Sequence, residues 1–218
     1  MTARRADFAR ERRSILDACR RMNALGINQG RSGNIGLRVK GGLLVTPTGM
    51  AYDEMTPADI VFMKPDGTVP SGQRQPSSEW RFHAGILAAR PDVGAVVHAH
   101  AMFATTLACL RMDIPAFHYM VAMAGGDSIR CAPYATFGSA ALAAHPLRAL
   151  DGRKACLLAN HGMIVVGETL ARALALAVEV ETLAAQYWRA LQIGKPAILS
   201  KKEMKTVLAK FSTYGRQD

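Results

Sequence analysis

Apolar residues recur near the start of the chain at spacings close to three, four or their sums: Phe8, Ile15, Cys19, Met22 and Leu25. That period predicts an amphipathic helix, closed by Gly26. A turn-rich stretch follows, Asn28-Gln29-Gly30-Arg31-Ser32-Gly33-Asn34. The pattern then shortens. Ile35 to Val39 and Gly42 to Thr46 read as a hairpin turning near Lys40-Gly41-Gly42. Ile60 to Met63 reads as a third strand, ended by the turn Pro65-Asp66-Gly67. Helical spacing returns from Ser77 to Arg90, and Pro91-Asp92 stops it. Val93 to Val97 predicts a short buried strand that runs into His98-Ala99-His100.

The second half continues the alternation. Phe103 to Leu110 predicts a helix, and Ile114 to Tyr134 a series of strand-like pieces around Gly125-Gly126. Ser139 to Leu150 predicts a helix disturbed by Pro146. Ala155 to Val166 reads as a strand or hairpin containing His161-Gly162. Leu170 to Ile193 is the longest predicted helix and Lys201 to Phe211 the last. Short strands alternating with helices imply a layered α/β fold around a mixed sheet. With no repeat, long linker or low-complexity tract, residues 1–218 are expected to form one domain.

Composition narrows the function only a little. No apolar run reaches the roughly 18 residues of a membrane span, and Met1 to Arg13 is too charged for a secretory signal, so a cytoplasmic enzyme is expected. Cys19, Cys109, Cys131 and Cys156 are widely spaced and read as small buried side chains rather than disulfides or thiolate ligands. The net charge of +10 comes mainly from the chain ends and suits a phosphorylated substrate without requiring one. No nucleic-acid-binding motif or aromatic stacking platform accompanies it. Lys64 and Lys154 read as surface residues.

Three local patterns carry chemistry. His98 and His100 stand at i and i+2 of an extended segment, so both rings point to one face and can grip one ion. A catalytic metal needs about three protein ligands and an open position. His161 is the best third candidate, with His83, His118 and His145 as rivals; His83 also shares a helix face with Glu79 and could support the site from behind, and His145 reads as exposed. Pro76-Ser77-Ser78-Glu79 marks a helix start, where Ser77 or Ser78 caps and free N–H groups suit a phosphate. Ser32-Gly33-Asn34 and Thr46-Pro47-Thr48-Gly49 are turns able to present N–H groups to an anion.

The order of these patterns resembles the class II aldolase/adducin family, most of all its bacterial L-fuculose-1-phosphate aldolase branch. Leu25-Gly26-Ile27-Asn28-Gln29-Gly30, the stretch from Pro76 to His83, Val96-Val97-His98, the stretch from Ile129 to Gly138, and Tyr214-Gly215 carry the likeness across nearly the whole chain. The resemblance implies a three-layer α/β/α fold with a mixed, largely antiparallel sheet, and a homotetramer with active sites between subunits. It implies a divalent ion (Zn²⁺ first, Mn²⁺ or Co²⁺ next) on His98, His100 and His161, with Glu79 as acid/base and additional ligand. It places substrate phosphate on Gly33, Asn34, Thr48, Gly49, Ser77 and Ser78, and catalytic tyrosines at Tyr119, from a neighbouring subunit, and Tyr214. The implied reaction cleaves a ketose 1-phosphate to dihydroxyacetone phosphate and an aldehyde. Asn160 stands where the fuculose branch has histidine, and Met102, Phe103 and Met123 suggest an apolar aldehyde end of the 5-deoxy or 5-methylthio type. Sugar-phosphate 4-epimerases, methylthioribulose-phosphate dehydratases and adducin-like assembly modules share the superfamily and are the alternatives.

Overall fold

A computed structural model describes residues 8–211. Its helices are α1 (Ala9–Ala24), α2 (Trp80–Ala89), α3 (Met102–Cys109), α4 (Ala140–Ala149), α5 (Leu170–Ile193) and α6 (Lys201–Phe211). Its strands are β1 (Asn34–Val39), β2 (Gly42–Val45), β3 (Val61–Met63), β4 (Ala95–Ala99), β5 (Ile114–Pro115), β6 (Ser128–Ala132), β7 (Ala155–Leu158) and β8 (Gly162–Gly167). They form one sheet in the order β3-β2-β1-β4-β8-β7-β6-β5, in which only β6 and β7 run parallel.

Strand alternation sorts the core onto two faces. Ile35, Leu44, Ala95, Val97, Ala99, Met163 and Val165 meet α1, α3 and α5. Leu43, Val45, Val96, Ile164 and Val166 meet Phe82, Ile86 and Leu87 of α2 and Leu142 and Ala149 of α4. The result is the expected α/β/α layering with a mostly antiparallel sheet. β4 lies between β1 and β8 and is buried along its whole length, which puts its C-terminal end in the middle of the molecule.

Three elements differ from the sequence expectation. The helix begins at Trp80 rather than Ser77 because Ser77 N–H donates to the Thr46 carbonyl at 2.9 Å and Pro76 bridges Pro47, holding this segment extended. Consequently neither serine caps α2; Ser77 Oγ accepts only from Glu79 N–H, at 3.3 Å. Tyr119–Ala124 is a 3₁₀ helix instead of a strand-like piece. Val121 and Ala124, three residues apart, face its buried side, and the His118 ring accepts the Met120 N–H at its start. Finally, α4 runs unbroken through Pro146, held by burial of Leu142, Ala149 and Leu150.

Cys19 and Cys156 are buried as expected, but Cys109 at the end of α3 is exposed; all four cysteines are free. Lys64 and Lys154 are exposed. Among the described residues no helix is long and apolar enough to cross a membrane.

Arg38 on β1 ties α2 to β4. Its guanidinium donates to the carbonyls of Leu87 at 2.5 Å, Arg90 at 3.0 Å and Val93 at 2.8 Å, all at the end of α2 or in the turn before β4. Arg38→Ala is expected to cost about 1.5–3 kcal/mol, the scale of hydrogen bonds made by a charged donor. Denaturant unfolding indistinguishable from the parent would show that these carbonyls are equally well served by water.

Candidate metal centre

The centre assembles where β4 ends and the β7–β8 turn returns. His98 is paired with Asn34 of β1 on one side and Ile164 of β8 on the other. Its even parity with Val96 turns its ring to the α2 side, against Phe82 at 5.5 Å between centroids. His100 follows just beyond the strand, and His161 occupies the turn Ala159-Asn160-His161. Asn160 adopts the left-handed conformation, φ 55°, which asparagine tolerates better than most residues. Its side chain faces the end of α3, accepting from Arg111 Nε at 3.2 Å, not the histidines. Gly162 is required by crowding: a Cβ there would lie 2.6 Å from the Ala99 carbonyl oxygen and 3.1 Å from the His100 ring.

The ligand atoms of His98, His100 and His161 lie within 4.8 Å of one another. The Nε2 atoms of His98 and His100 are 3.0 Å apart. Glu79 closes the group, with Oε2 3.3 Å from His98 Nε2 and Oε1 3.3 Å from His161 Nε2. His98 Nδ1 lies 2.9 Å from the Met163 carbonyl oxygen and can only donate to it, leaving a lone pair on Nε2. Burial holds His98 well below the ordinary imidazole range, reinforced by the neighbouring His161 and His100. Burial, then His100, lowers His161 to about 4, and burial lowers His100. Burial raises Glu79, opposed by the hydrogen bond from Asn34.

This donor set fits a divalent cation. Lone pairs meeting at such distances repel unless a proton or cation lies between them. Glu79 Oε1 is buried without a hydrogen-bond partner among the described residues, although His161 Nε2 stands near it. Three neutral imidazoles and one carboxylate oxygen are the chemistry of a catalytic transition-metal site.

The phosphate candidates lie in segments stitched together beside this centre. Thr46 Oγ1 accepts from Ile35 N–H at 3.3 Å, Ser77 N–H donates to Thr46, and Thr48 N–H donates to Gln75 at 3.0 Å. Thus the segments carrying Gly33-Asn34, Thr48-Gly49 and Ser77-Ser78 are tied to one another, with Thr48, Gly49 and Ser78 exposed. Gly33 is buried, and a Cβ there would lie 2.7 Å from the His98 carbonyl oxygen. Asn34 turns its amide to Glu79 Oε2 at 2.9 Å.

Among the described residues Tyr119 makes no hydrogen bond or ring contact with Glu79, His98, His100 or His161; its ring lies 4.9 Å from that of His118. It is half exposed and its ring stacks on Phe211 with centroids 6.3 Å apart; both line a cavity of about 570 Å³ between the 3₁₀ helix and α6, which none of Glu79, His98, His100 or His161 lines. Tyr214 lies outside the described residues. Of the rival histidines, His118 caps the 3₁₀ helix and His145 is half-buried with Nδ1 3.1 Å from the Pro133 carbonyl oxygen, rather than exposed. His83 is fully buried behind Asn34.

Two supporting residues escape sequence reading. Glu181 of α5 accepts the N–H groups of Phe103 and Ala104, both at 2.8 Å, and so caps α3 immediately after His100. The only signal was negative: Ala101-Met102 begins a helix without a local cap. Asn28 Oδ1 accepts from His100 N–H and from the Ser32 hydroxyl, each at 3.3 Å, joining the turn after α1 to the metal-ligand segment.

Residues 13–188 match the class II aldolase and adducin N-terminal domain. The chain belongs to the class II aldolase and adducin family. It is 59% identical over 204 residues to the 5-methylthioribulose-1-phosphate/5-deoxyribulose-1-phosphate aldolase of Rhodospirillum rubrum, covering 94% of this chain and 92% of that one. It is 50% identical to the L-fuculose phosphate aldolase of Escherichia coli, covering 93% and 94%. A solved L-fuculose 1-phosphate aldolase superposes with a TM-score of 0.89 at 37% identity, covering 92% of this chain and 95% of that one. Class II aldolases use a divalent metal, and the cluster supplies donors suited to one.

Replacing His98, His100 or His161 by Ala, one at a time, is expected to abolish retained metal while the protein stays folded; His145→Ala leaves metal content unchanged. Elemental analysis of dialysed protein beside circular dichroism checks this. Full occupancy in any of the first three variants would remove that residue from the ligand set.

Proposed function

We propose that this protein is a metal-dependent aldolase that reversibly cleaves a ketose 1-phosphate to dihydroxyacetone phosphate and an aldehyde. The observation that carries the reading is Glu79, a buried carboxylate with one oxygen lacking a hydrogen-bond partner among the described residues, 3.3 Å from the ring nitrogens of two clustered histidines. A carboxylate in that position can exchange a proton with a carbon beside a polarised carbonyl. Names borne by relatives at 59% and 50% identity support the same chemistry.

In this reading His98, His100 and His161 hold the ion, with Glu79 as a further ligand before substrate arrives. Zn²⁺ is favoured over Mn²⁺ and Co²⁺, all of which imidazole suits. When bound, the ion supplies Lewis acidity toward charge developing on the substrate oxygens. Gly33, Asn34, Thr48, Gly49, Ser77 and Ser78 orient the phosphate. During cleavage Tyr119 of a neighbouring copy takes the proton of the C4 hydroxyl as the aldehyde leaves, and Glu79 delivers a proton to C3. Tyr214 covers the substrate. Tyr119 is exposed and so available to a neighbouring copy, as the homotetramer with sites between subunits requires. We place the enzyme in the cytoplasm.

The aldehyde end is proposed to be apolar, of the 5-deoxy or 5-methylthio type, beside Met102, Phe103 and Met123. The R. rubrum relative, named for 5-methylthioribulose and 5-deoxyribulose 1-phosphates, supports this choice over fuculose.

A panel of ketose 1-phosphates varied at C5 and C6, with dihydroxyacetone phosphate release as readout, tests the reaction. The 5-deoxy and 5-methylthio pentuloses are expected to give the highest kcat/KM, and release from none of them would overturn the reading. Glu79→Gln is expected to lose about 10²- to 10⁴-fold in turnover and in proton exchange at C3 of dihydroxyacetone phosphate. Near-parental exchange would reduce Glu79 to a structural charge.

A further inference from the structure

Behind Glu79 a hydrogen-bonded chain runs into the core and ends on a histidine that the reaction does not use. Glu79 Oε2 accepts from Asn34 Nδ2 at 2.9 Å, and Asn34 Oδ1 stands 2.6 Å from His83 Nε2. His83 lies on the inner face of α2 with no solvent exposure. Its Nδ1 has no hydrogen-bond partner among the described residues. The ring is pressed onto β1 at Gly36, where even a Cβ would come within 2.6 Å of Nδ1.

These contacts decide where the protons are. Burial lowers the His83 pKa to about 3, so the ring is neutral and carries one N–H. A proton on Nδ1 would be a buried donor without an acceptor, and the Nε2 lone pair would then face the Asn34 oxygen at 2.6 Å. A proton on Nε2 removes both penalties. With Nε2–H fixed, Asn34 can turn only its oxygen toward His83 and must turn its NH₂ group toward Glu79. The flipped amide would set N–H against N–H at one end and oxygen against carboxylate oxygen at the other.

We propose that His83 is a positioning residue for Glu79: its Nε2–H fixes the Asn34 carboxamide, whose N–H holds Oε2 of the carboxylate and leaves Oε1 to the reacting side. This inference rests on the reading of Glu79 as the acid/base and adds the residue that orients it. Among the described residues His83 makes no hydrogen bond to the metal-ligand histidines; it acts through Asn34. Buried outer partners of this kind typically contribute about 10- to 100-fold to activity or metal affinity.

Two variants and one spectrum test it. His83→Phe keeps a planar ring and removes the donor. His83→Gln keeps an N–H at a similar reach from the backbone. His83→Phe is expected to lower kcat for cleavage, and C3 proton exchange of dihydroxyacetone phosphate, by about 10- to 100-fold. Any rise in KM, through Asn34 at the phosphate, should be smaller than the fall in kcat, because the main loss falls on the chemical step. Metal content and fold remain, and His83→Gln recovers most of the rate. Independently, ¹⁵N-edited NMR of the parent protein should show His83 as the Nε2–H tautomer, assigned by loss of its signals in His83→Gln. The Nδ1–H tautomer overturns the proposal, even if His83→Phe fails to fold. So does a folded His83→Phe enzyme with parental exchange, or a His83→Gln enzyme as impaired as His83→Phe. A parent enzyme with no C3 exchange would instead sink the aldolase reading, and the tautomer would still decide the arrangement of His83 and Asn34.

Discussion

Antiparallel pairing of β4 with β1 and β8 is the constraint on which the centre depends. The ladder sets Asn34 opposite His98 on one side and Ile164 opposite it on the other. The β7–β8 turn then delivers His161 beside the end of β4, while β1 brings Asn34 to Glu79. A slip of one residue between β4 and either neighbour would turn alternate side chains to the other face and scatter the set. Arg38, Asn28 and Glu181 reinforce this register from three directions, each through main-chain groups at the ends of the elements involved.

Burial makes the centre reactive and also makes it costly. Withdrawing imidazoles and a carboxylate from water disfavours their charged forms, as the directions of all four shifts record. The three imidazoles are thereby kept neutral, the form in which each has a ring nitrogen lone pair to offer a cation. Family membership and the local donor set are both compatible with a divalent ion there.

Much of this was legible in the sequence because its periods are strong. The long apolar stripe from Leu170 to Ile193 and the alternation into His98-Ala99-His100 gave elements close to those observed. The reading failed where a distant partner overrides local preference. Ser77 looks like a helix cap, yet pairing with Thr46 holds it extended. The Tyr119–Ala124 stretch looks strand-like because three-residue and two-residue apolar spacings are hard to separate over six positions. Glu181 is one acidic residue on a long helix, and nothing in its neighbourhood announces that it caps α3 some 78 positions earlier. Tyr119, which the resemblance assigns to a neighbouring subunit's site, packs here against His118 and Phe211 of its own chain.

The bond from His98 Nδ1 to the Met163 carbonyl sets which nitrogen of this ligand is free, and its acceptor belongs to the main chain. No side-chain replacement at position 163 can delete that acceptor. The residue there can vary in size and shape with the packing around α5 while the proton on His98 stays in place. The identity of the ligand atom is thus encoded in the path of β8 rather than in any codon of it. Position 163 can therefore change in sequence without removing the acceptor that sets this proton.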